Sequence, residues 1–283
     1  MHARFQASMA FWRKGSSVSI HQNITSIEAG SVPLHTRSIR DIADSLGYTS
    51  DWNWSWSNYK SMILAMTEAY GLRRHLEIGG GRDPLFSPGE LGVHGIDVTL
   101  NDLSQKELDL APAGFSKLCC DIAAPSTLAA IGSNRFDFAY CRMVMEHVED
   151  TARMWRNIHG LLTPGGAALS FFPTLFAPPF VINELMPERL SRAVLHALFP
   201  DRRDEGDNPK FPAYYNLCRG DEAAITPLLR EIGFRDVVVL PFYGYSYFWK
   251  IPVIKQIDAA FTQVARQRDW RTFTSFAYVI ARK

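Results

Sequence analysis

Residues 75–84 read HLEIGGGRDP, so that an acidic residue, Glu77, stands two positions before the glycines Gly79, Gly80 and Gly81. Glycines at the end of an apolar run open backbone angles closed to other residues and let a ligand approach closely. Two phosphate-binding patterns fail on spacing. The dinucleotide fingerprint needs a third glycine three positions beyond its second, and counted from Gly79 and Gly81 that position is Pro84. The phosphate loop needs Gly-Lys-Ser/Thr after four intervening residues, and that is absent. Downstream, LNDLS carries Asp102 and Leu103, and Asp102 follows Glu77 by 25 residues. A carboxylate at a strand end there can accept both hydroxyls of a ribose. CCDI carries Asp121 and Ile122, and FDFAYCRMVMEHVED carries Arg142, Met143, Glu146 and His147. Histidine titrates near neutrality, which makes His147 the candidate general base. Each aspartate taken alone reads equally well as a helix cap.

These residues need a frame. Short apolar runs at 75–78, 96–100, 115–119, 136–140 and 167–172 read as strands, with helical patterns between most of them, including 126–131 and 150–162. Alternating strands and helices imply a parallel sheet covered on both faces, and right-handed crossovers align the strand C-termini along one ligand-binding edge. Before the first strand, 38–46 and 58–70 are helical, with Gly71 a good C-cap. Trp52, Trp54 and Trp56 alternate strictly, which suits a short strand or a loop laid over the domain. After Pro173 the rhythm breaks into an excursion over 174–219, long enough to be a lid or acceptor-binding element. It holds a helical piece at 181–198, a charged loop PDRRDEGDNPKF, and FPAYYNLCRG, whose Tyr214, Tyr215 and Arg219 are candidate acceptor contacts. A helix at 222–232 then leads to strands at 237–240 and 273–280, expected to pair antiparallel. The expected divisions are a poorly ordered segment 1–35, an N-terminal helical cap 36–71, and a main domain 72–283 with its insertion at 174–219.

Acid-x-Gly-x-Gly at the end of a first strand, here Glu77 to Gly81, resembles the cofactor loop of class I S-adenosylmethionine-dependent methyltransferases, in the subgroup that acts on small molecules. Asp102, Asp121 with Ile122, the fourth-strand segment and LLTPGGAALSFF match that family in order, over roughly residues 72–173. The resemblance implies an α/β, Rossmann-like, doubly wound sheet of seven mostly parallel strands with an antiparallel C-terminal strand and an inserted lid. It implies S-adenosyl-L-methionine as cofactor and S-adenosyl-L-homocysteine as product. Glu77 would lie near the cofactor's amino-acid end, Gly79, Gly80 and Gly81 would make room for it, and Asp102 with Leu103 would meet the ribose. Asp121 and Ile122 would meet the adenine, and Arg142 and Met143 would lie beneath the cofactor facing the acceptor. One departure stands out: RDPLFSPGELGVHG, where the family has a regular helix, holds two prolines and three glycines, so that helix should be short or broken.

Composition narrows the partners. The 283 residues include 30 basic and 29 acidic ones for a net charge of +1, without the basic field of a nucleic-acid binder. The Asp/Asn-Pro-Pro-aromatic signature of DNA amino-methyltransferases is replaced by Cys141-Arg142-Met143-Val144. The four cysteines form no CxxC pair and read as buried free thiols of a cytoplasmic protein; no metal is expected. No run of 18 apolar residues predicts a membrane span, while the rings between Leu240 and Ile254 leave a peripheral membrane contact open. The reading is a methyltransferase for a small-molecule, glycan or lipid-linked acceptor, with oxygen the preferred target. The alternatives are a non-catalytic cofactor-binding module and, behind it, an NAD-dependent oxidoreductase.

Overall fold

The computed structural model describes residues 37–176, 212–245 and 252–283, with side chains from Lys255 onward in the last stretch. The expected loose segment 1–35, the helical piece 181–198, the charged loop and the rings of Tyr247, Phe248 and Trp249 lie outside the described residues.

Seven strands form one sheet: β1 (Arg74–Ile78), β2 (Asp97–Asp102), β3 (Ser116–Cys119), β4 (Phe136–Arg142), β5 (Leu162–Pro173), β6 (Asp236–Phe242) and β7 (Phe276–Arg282). Their order is β3-β2-β1-β4-β5-β7-β6. The first five run parallel, and β7 lies antiparallel between β5 and β6. The chain order reverses between β1 and β4, so the crevice for a ligand opens beyond the C-terminal ends of those strands.

Alternate residues of each strand feed two cores. On one face His75, Phe138, Tyr140, Leu169, Phe171 and Tyr278 pack beneath α1 (Ile39–Ser45), α2 (Trp52–Ser57) and α3 (Tyr59–Tyr70). On the other, Leu76, Ile78, Ala139, Cys141, Ala168 and Val279 pack against residues such as Trp155 and Ile158 of α7 (Thr151–Leu161) and Leu229 of α8 (Glu222–Ile232). The remaining helices are α4 (Pro88–His94), α5 (Gln105–Asp109), α6 (Thr127–Ile131) and α9 (Pro252–Gln267). Helix α3 stops at Gly71, whose φ of 68° is the left-handed cap conformation. It runs back along β1, which sets its first residue, Tyr59, toward the ligand edge.

The tryptophan run departs from expectation. Trp52, Trp54 and Trp56 lie in the helix α2, started by Asp51, whose carboxylate accepts the Asn53 N–H at 2.9 Å. Six residues are too few for a helical period to show, and the cap was the readable signal. Trp54 stacks on Phe242 at 5.8 Å and Trp56 meets Phe171 edge-on at 5.0 Å. The expected break after the glycines is present. Pro88 opens the short α4, and Ser87 and Glu90 form its capping box.

Candidate active site

The glycines leave β1 in a turn that no side chain fits. Gly79 has φ 72°, and a Cβ there would overlap Val144 Cγ2. Gly81 has φ 42°, and a Cβ there would lie 2.9 Å from Asp102 Oδ2. At Gly80 it would crowd Glu77 Cγ and Leu100 Cδ2, both at 3.1 Å. The turn is held from below by Asn101, whose carbonyl accepts the amides of Gly79 at 2.7 Å and Gly80 at 3.2 Å. Asn101 is itself buried, and its amide donates to the carbonyls of Leu118 and Cys120, both at 3.0 Å. It therefore braces the tips of β1, β2 and β3 together. A polar residue inside an apolar strand was the sequence signal for it.

Glu77 is buried, and both its oxygens accept the Leu85 N–H, at 2.9 and 3.1 Å. Its carboxylate thus ties the far end of the loop to β1. Burial pushes its pKa up to about 7; the Leu85 hydrogen bond and the Arg142 and Lys60 charges pull the other way. Arg82 grips Glu107 of α5 with two bonds of 2.6 Å, which fastens the loop to the helix after β2.

At the next tips, Asp102 Oδ1 accepts the Ser104 N–H at 2.9 Å, and Asp121 Oδ1 accepts the Ala123 N–H at 2.8 Å. Both carboxylates are aimed by their own turns, so each combines the cap and the ligand readings. The Cys120 N–H donates to the Asp102 carbonyl at 3.2 Å, which places the two acidic tips side by side. Leu103 is 62% exposed at this edge, an apolar surface presented to solvent, and Ile122 is buried. Of the cysteines, Cys141 and Cys218 are buried thiols as expected, but Cys119 is exposed and Cys120 half-buried, because β3 is the sheet edge.

The tip of β4 carries the other candidates. Met143 takes φ 58°, unusual for a side-chain-bearing residue, and its N–H donates to the Phe171 carbonyl at 2.8 Å. That turn sends Val144 against Gly79 and starts the short 3₁₀ turn Met145–His147. Arg142 is half-buried, its guanidinium 5.8 Å above the Tyr59 ring. Glu146 is fully buried, and its carbonyl accepts the amides of Tyr214 and Tyr215 at 2.8 and 3.1 Å. His147 Nδ1 lies 2.9 Å from the Pro212 carbonyl. A carbonyl only accepts, so Nδ1 carries the proton, and the neutral ring has its lone pair at Nε2, 3.7 Å from Glu146 Oε1. Thr151 donates to the Asn216 carbonyl at 3.0 Å, and Asn216 to the Glu149 carbonyl at 2.8 Å.

The returning end of the 174–219 excursion is therefore docked on the loop after β4, beside His147. Tyr214 is half-buried there. Tyr215, expected to face the acceptor, is instead a core residue only 4% exposed, turned inward by its φ of 55°. Arg219 lies 4.9 Å above the Phe176 ring, and its Nη1 reaches the Tyr215 and Cys218 carbonyls at 3.4 and 3.3 Å. The structure thus gathers the glycine turn, Asp102 and Asp121 along three adjacent tips, and Arg142, His147 and Tyr214 around the fourth. Tyr59, unnoticed in the sequence, sits below the last group.

This sheet order, with its glycine turn and acidic tips, is the arrangement that the sequence resemblance to class I S-adenosylmethionine-dependent methyltransferases implies. Residues 76–170 match the family model described as a methyltransferase domain. No curated protein matches the chain. Among solved structures, the chain is similar to a SAM-dependent methyltransferase from Archaeoglobus fulgidus at 15% identity, covering 82% of this chain and 100% of that one with a TM-score of 0.47. It is also similar to an S-adenosylmethionine-dependent methyltransferase from Mesorhizobium loti at 20% identity, covering 81% and 97% with a TM-score of 0.47. A third is phosphoethanolamine N-methyltransferase 2 from Haemonchus contortus, at 18% identity, covering 88% and 60% with a TM-score of 0.48.

The residues present fit the cofactor. The glycines let the turn pack closely against Val144, Leu100 and Asp102 at the ligand edge, and the carboxylates of Asp102 and Asp121 suit a ribose diol and an exocyclic amine. No helix among the described residues is long and apolar enough to cross a membrane.

Proposed function

We propose that this methyltransferase acts on the hydroxyl of a small-molecule, glycan or lipid-linked acceptor in the cytoplasm. The observation that carries this reading is the pairing of a sterically closed glycine turn with a histidine held on the facing loop. Asp102, Asp121, Leu103 and Ile122 hold the adenosyl part, Gly79, Gly80, Gly81 and Met143 shape the trough for the rest, and Glu77 keeps the loop in place. When bound, S-adenosylmethionine supplies an electrophilic methyl group on a sulfonium.

His147 is the base in this reading. The Nδ1 bond to the Pro212 carbonyl fixes the tautomer and the ring plane, and Nε2 would take the hydroxyl proton as the oxygen–methyl bond forms and the sulfur–methyl bond breaks, with S-adenosylhomocysteine leaving. The Glu146 carboxylate, 3.7 Å from Nε2, stabilises the imidazolium that results. The docked segment 212–219 supplies Tyr214 and Arg219 to the acceptor side and keeps water from the trough. Calorimetric titration with S-adenosylhomocysteine, followed by transfer from methyl-labelled S-adenosylmethionine to a panel of hydroxyl, amine and thiol acceptors, tests the assignment. Tight binding with label on oxygen is the expected outcome. Binding with no transfer to any acceptor would favour a non-catalytic module, and preferential protection by NAD would remove the assignment altogether.

A further inference from the structure

Arg142 is the unexplained charge of the site. It ends β4 on the face covered by α3, whereas Val144, two residues on, faces the glycine turn. Its guanidinium therefore lies on the α3 side of the strand tips, above Tyr59. Tyr59 in turn contacts Phe171, the β5 residue in register with Arg142, at 5.6 Å, and Tyr278 at 5.8 Å. Trp56 lies edge-on to Phe171. The result is a cation over a floor of aromatic rings.

Among the described residues the Arg142 side chain makes no ion pair and no hydrogen bond, although Arg82 of the loop and Lys60 of α3 are matched, to Glu107 and Glu90. A half-buried guanidinium is costly to leave unpaired. A second observation points the same way. Tyr59, the ring beneath Arg142, and Tyr140, two residues before it on β4 and in register with Glu77, each bury a hydroxyl that has no hydrogen-bond partner. Buried hydroxyls are ordinarily satisfied, and a clustered pair of exceptions beside an unpaired cation marks a place prepared for an acceptor of hydrogen bonds. Glu77, whose carboxylate feels the Arg142 charge, makes no ion pair with it and is engaged by the Leu85 amide.

We propose that Arg142 is a specificity-determining residue, and that the acceptor carries an anionic group, a carboxylate or a phosphate ester. The guanidinium fork pairs with the anion's oxygens, while the buried rings of Tyr59 and Phe171 support it from below. Tyr59 is a positioning residue that holds the guanidinium edge-outward. The assignment rests on the methyltransferase reading. The other carboxylate that could reach Arg142 belongs to the cofactor, and the test separates the two.

The experiment titrates the full chain, saturated with S-adenosylhomocysteine, with 4-hydroxybenzoate and phenyl phosphate, and in parallel with neutral 4-hydroxybenzamide and phenol. Wild type should bind at least one anion about tenfold or more tightly than its neutral counterpart. Arg142→Gln should abolish that preference, and Arg142→Lys should keep part of it, since it retains charge but not the fork. Affinity for S-adenosylhomocysteine should change by no more than about twofold in either variant. Equal binding of neutral and anionic probes, anion preference that survives in R142Q, or no anion binding up to about 10 mM would each overturn the proposal. So would a loss of S-adenosylhomocysteine affinity in R142Q with 5′-methylthioadenosine unaffected, because that result assigns Arg142 to the cofactor's carboxylate. Failure of wild type to bind S-adenosylhomocysteine is a different result, and it rejects the methyltransferase reading itself. Thermal melts of both variants check that each is folded.

Discussion

Replacing Gly79 by alanine should unfold the site by two separable routes. The first is conformational. A φ of 72° lies in the left-handed region, which costs an L-residue with a Cβ about 1–2 kcal/mol. The second is steric. The new methyl would overlap Val144 Cγ2, while Val144 Cβ, at 3.6 Å, is at ordinary contact distance. Forcing a methyl into a packed site costs about 1–3 kcal/mol, so G79A should lose about 2–5 kcal/mol in all. Val144→Ala removes the clashing atom and keeps the tolerable one. On its own it should cost about 1 kcal/mol, since Val144 is half-buried. In the G79A background it should restore the steric part, so that the double mutant is more stable than G79A alone. The interaction energy of the cycle should reach about 1–3 kcal/mol. Urea unfolding followed by circular dichroism reads all four proteins, provided that the slope with denaturant stays constant. If G79A is as stable as wild type, or if the two changes simply add, then the turn is not closed by Val144 and the account of the trough is wrong.

Other expectations follow from the same geometry. Asp102→Ala should remove two charge-assisted hydrogen bonds of about 1.5–3 kcal/mol each, and S-adenosylhomocysteine affinity measured by calorimetry should fall at least a hundredfold or so. Glu77 has a folded pKa of about 7 against an ordinary 4.5, so its contribution to stability is fully present below about 4.5 and is lost as pH rises through about 7. Glu77→Gln, which keeps an acceptor for the Leu85 amide, should therefore gain on wild type by up to about 3 kcal/mol between pH 5 and pH 8 in denaturant melts; a gain that shrinks with rising pH would contradict the burial argument. His147→Gln should lower kcat by about 10²–10⁴-fold with S-adenosylhomocysteine affinity unchanged, and a loss below about tenfold would take the base role from this residue.

The first five strands and the glycine turn were legible because their signals are local. An apolar run bounded by glycine or aspartate needs no tertiary knowledge, and β1, β2 and β4 fall where the runs at 75–78, 96–100 and 136–140 lie. The broken helix after the turn was equally plain from its prolines. What stayed hidden is carried by the main chain. The docking of residues 212–216 on the β4 loop uses the carbonyls of Glu146, Pro212, Asn216 and Glu149, and carbonyls leave no trace in residue type. For the same reason Tyr215 read as a pocket residue, when a positive φ turns it into the core. Asn101 and Tyr59 act through strand register and helix direction, which only the assembled sheet defines.

The excursion after β5 has its two feet fastened together. The chain departs at Leu175, whose amide donates at 3.0 Å to the carbonyl of Cys218 on the returning limb, and Arg219 lies over Phe176. Whatever spans those feet begins and ends at one point of the scaffold. The penalty for joining its ends grows only slowly with its length, by about 0.6 kcal/mol per doubling. A donor segment of different size can therefore be grafted between Phe176 and Pro212 without moving the sheet. The length of the excursion is in that sense free to vary, while the strand tips keep their spacing.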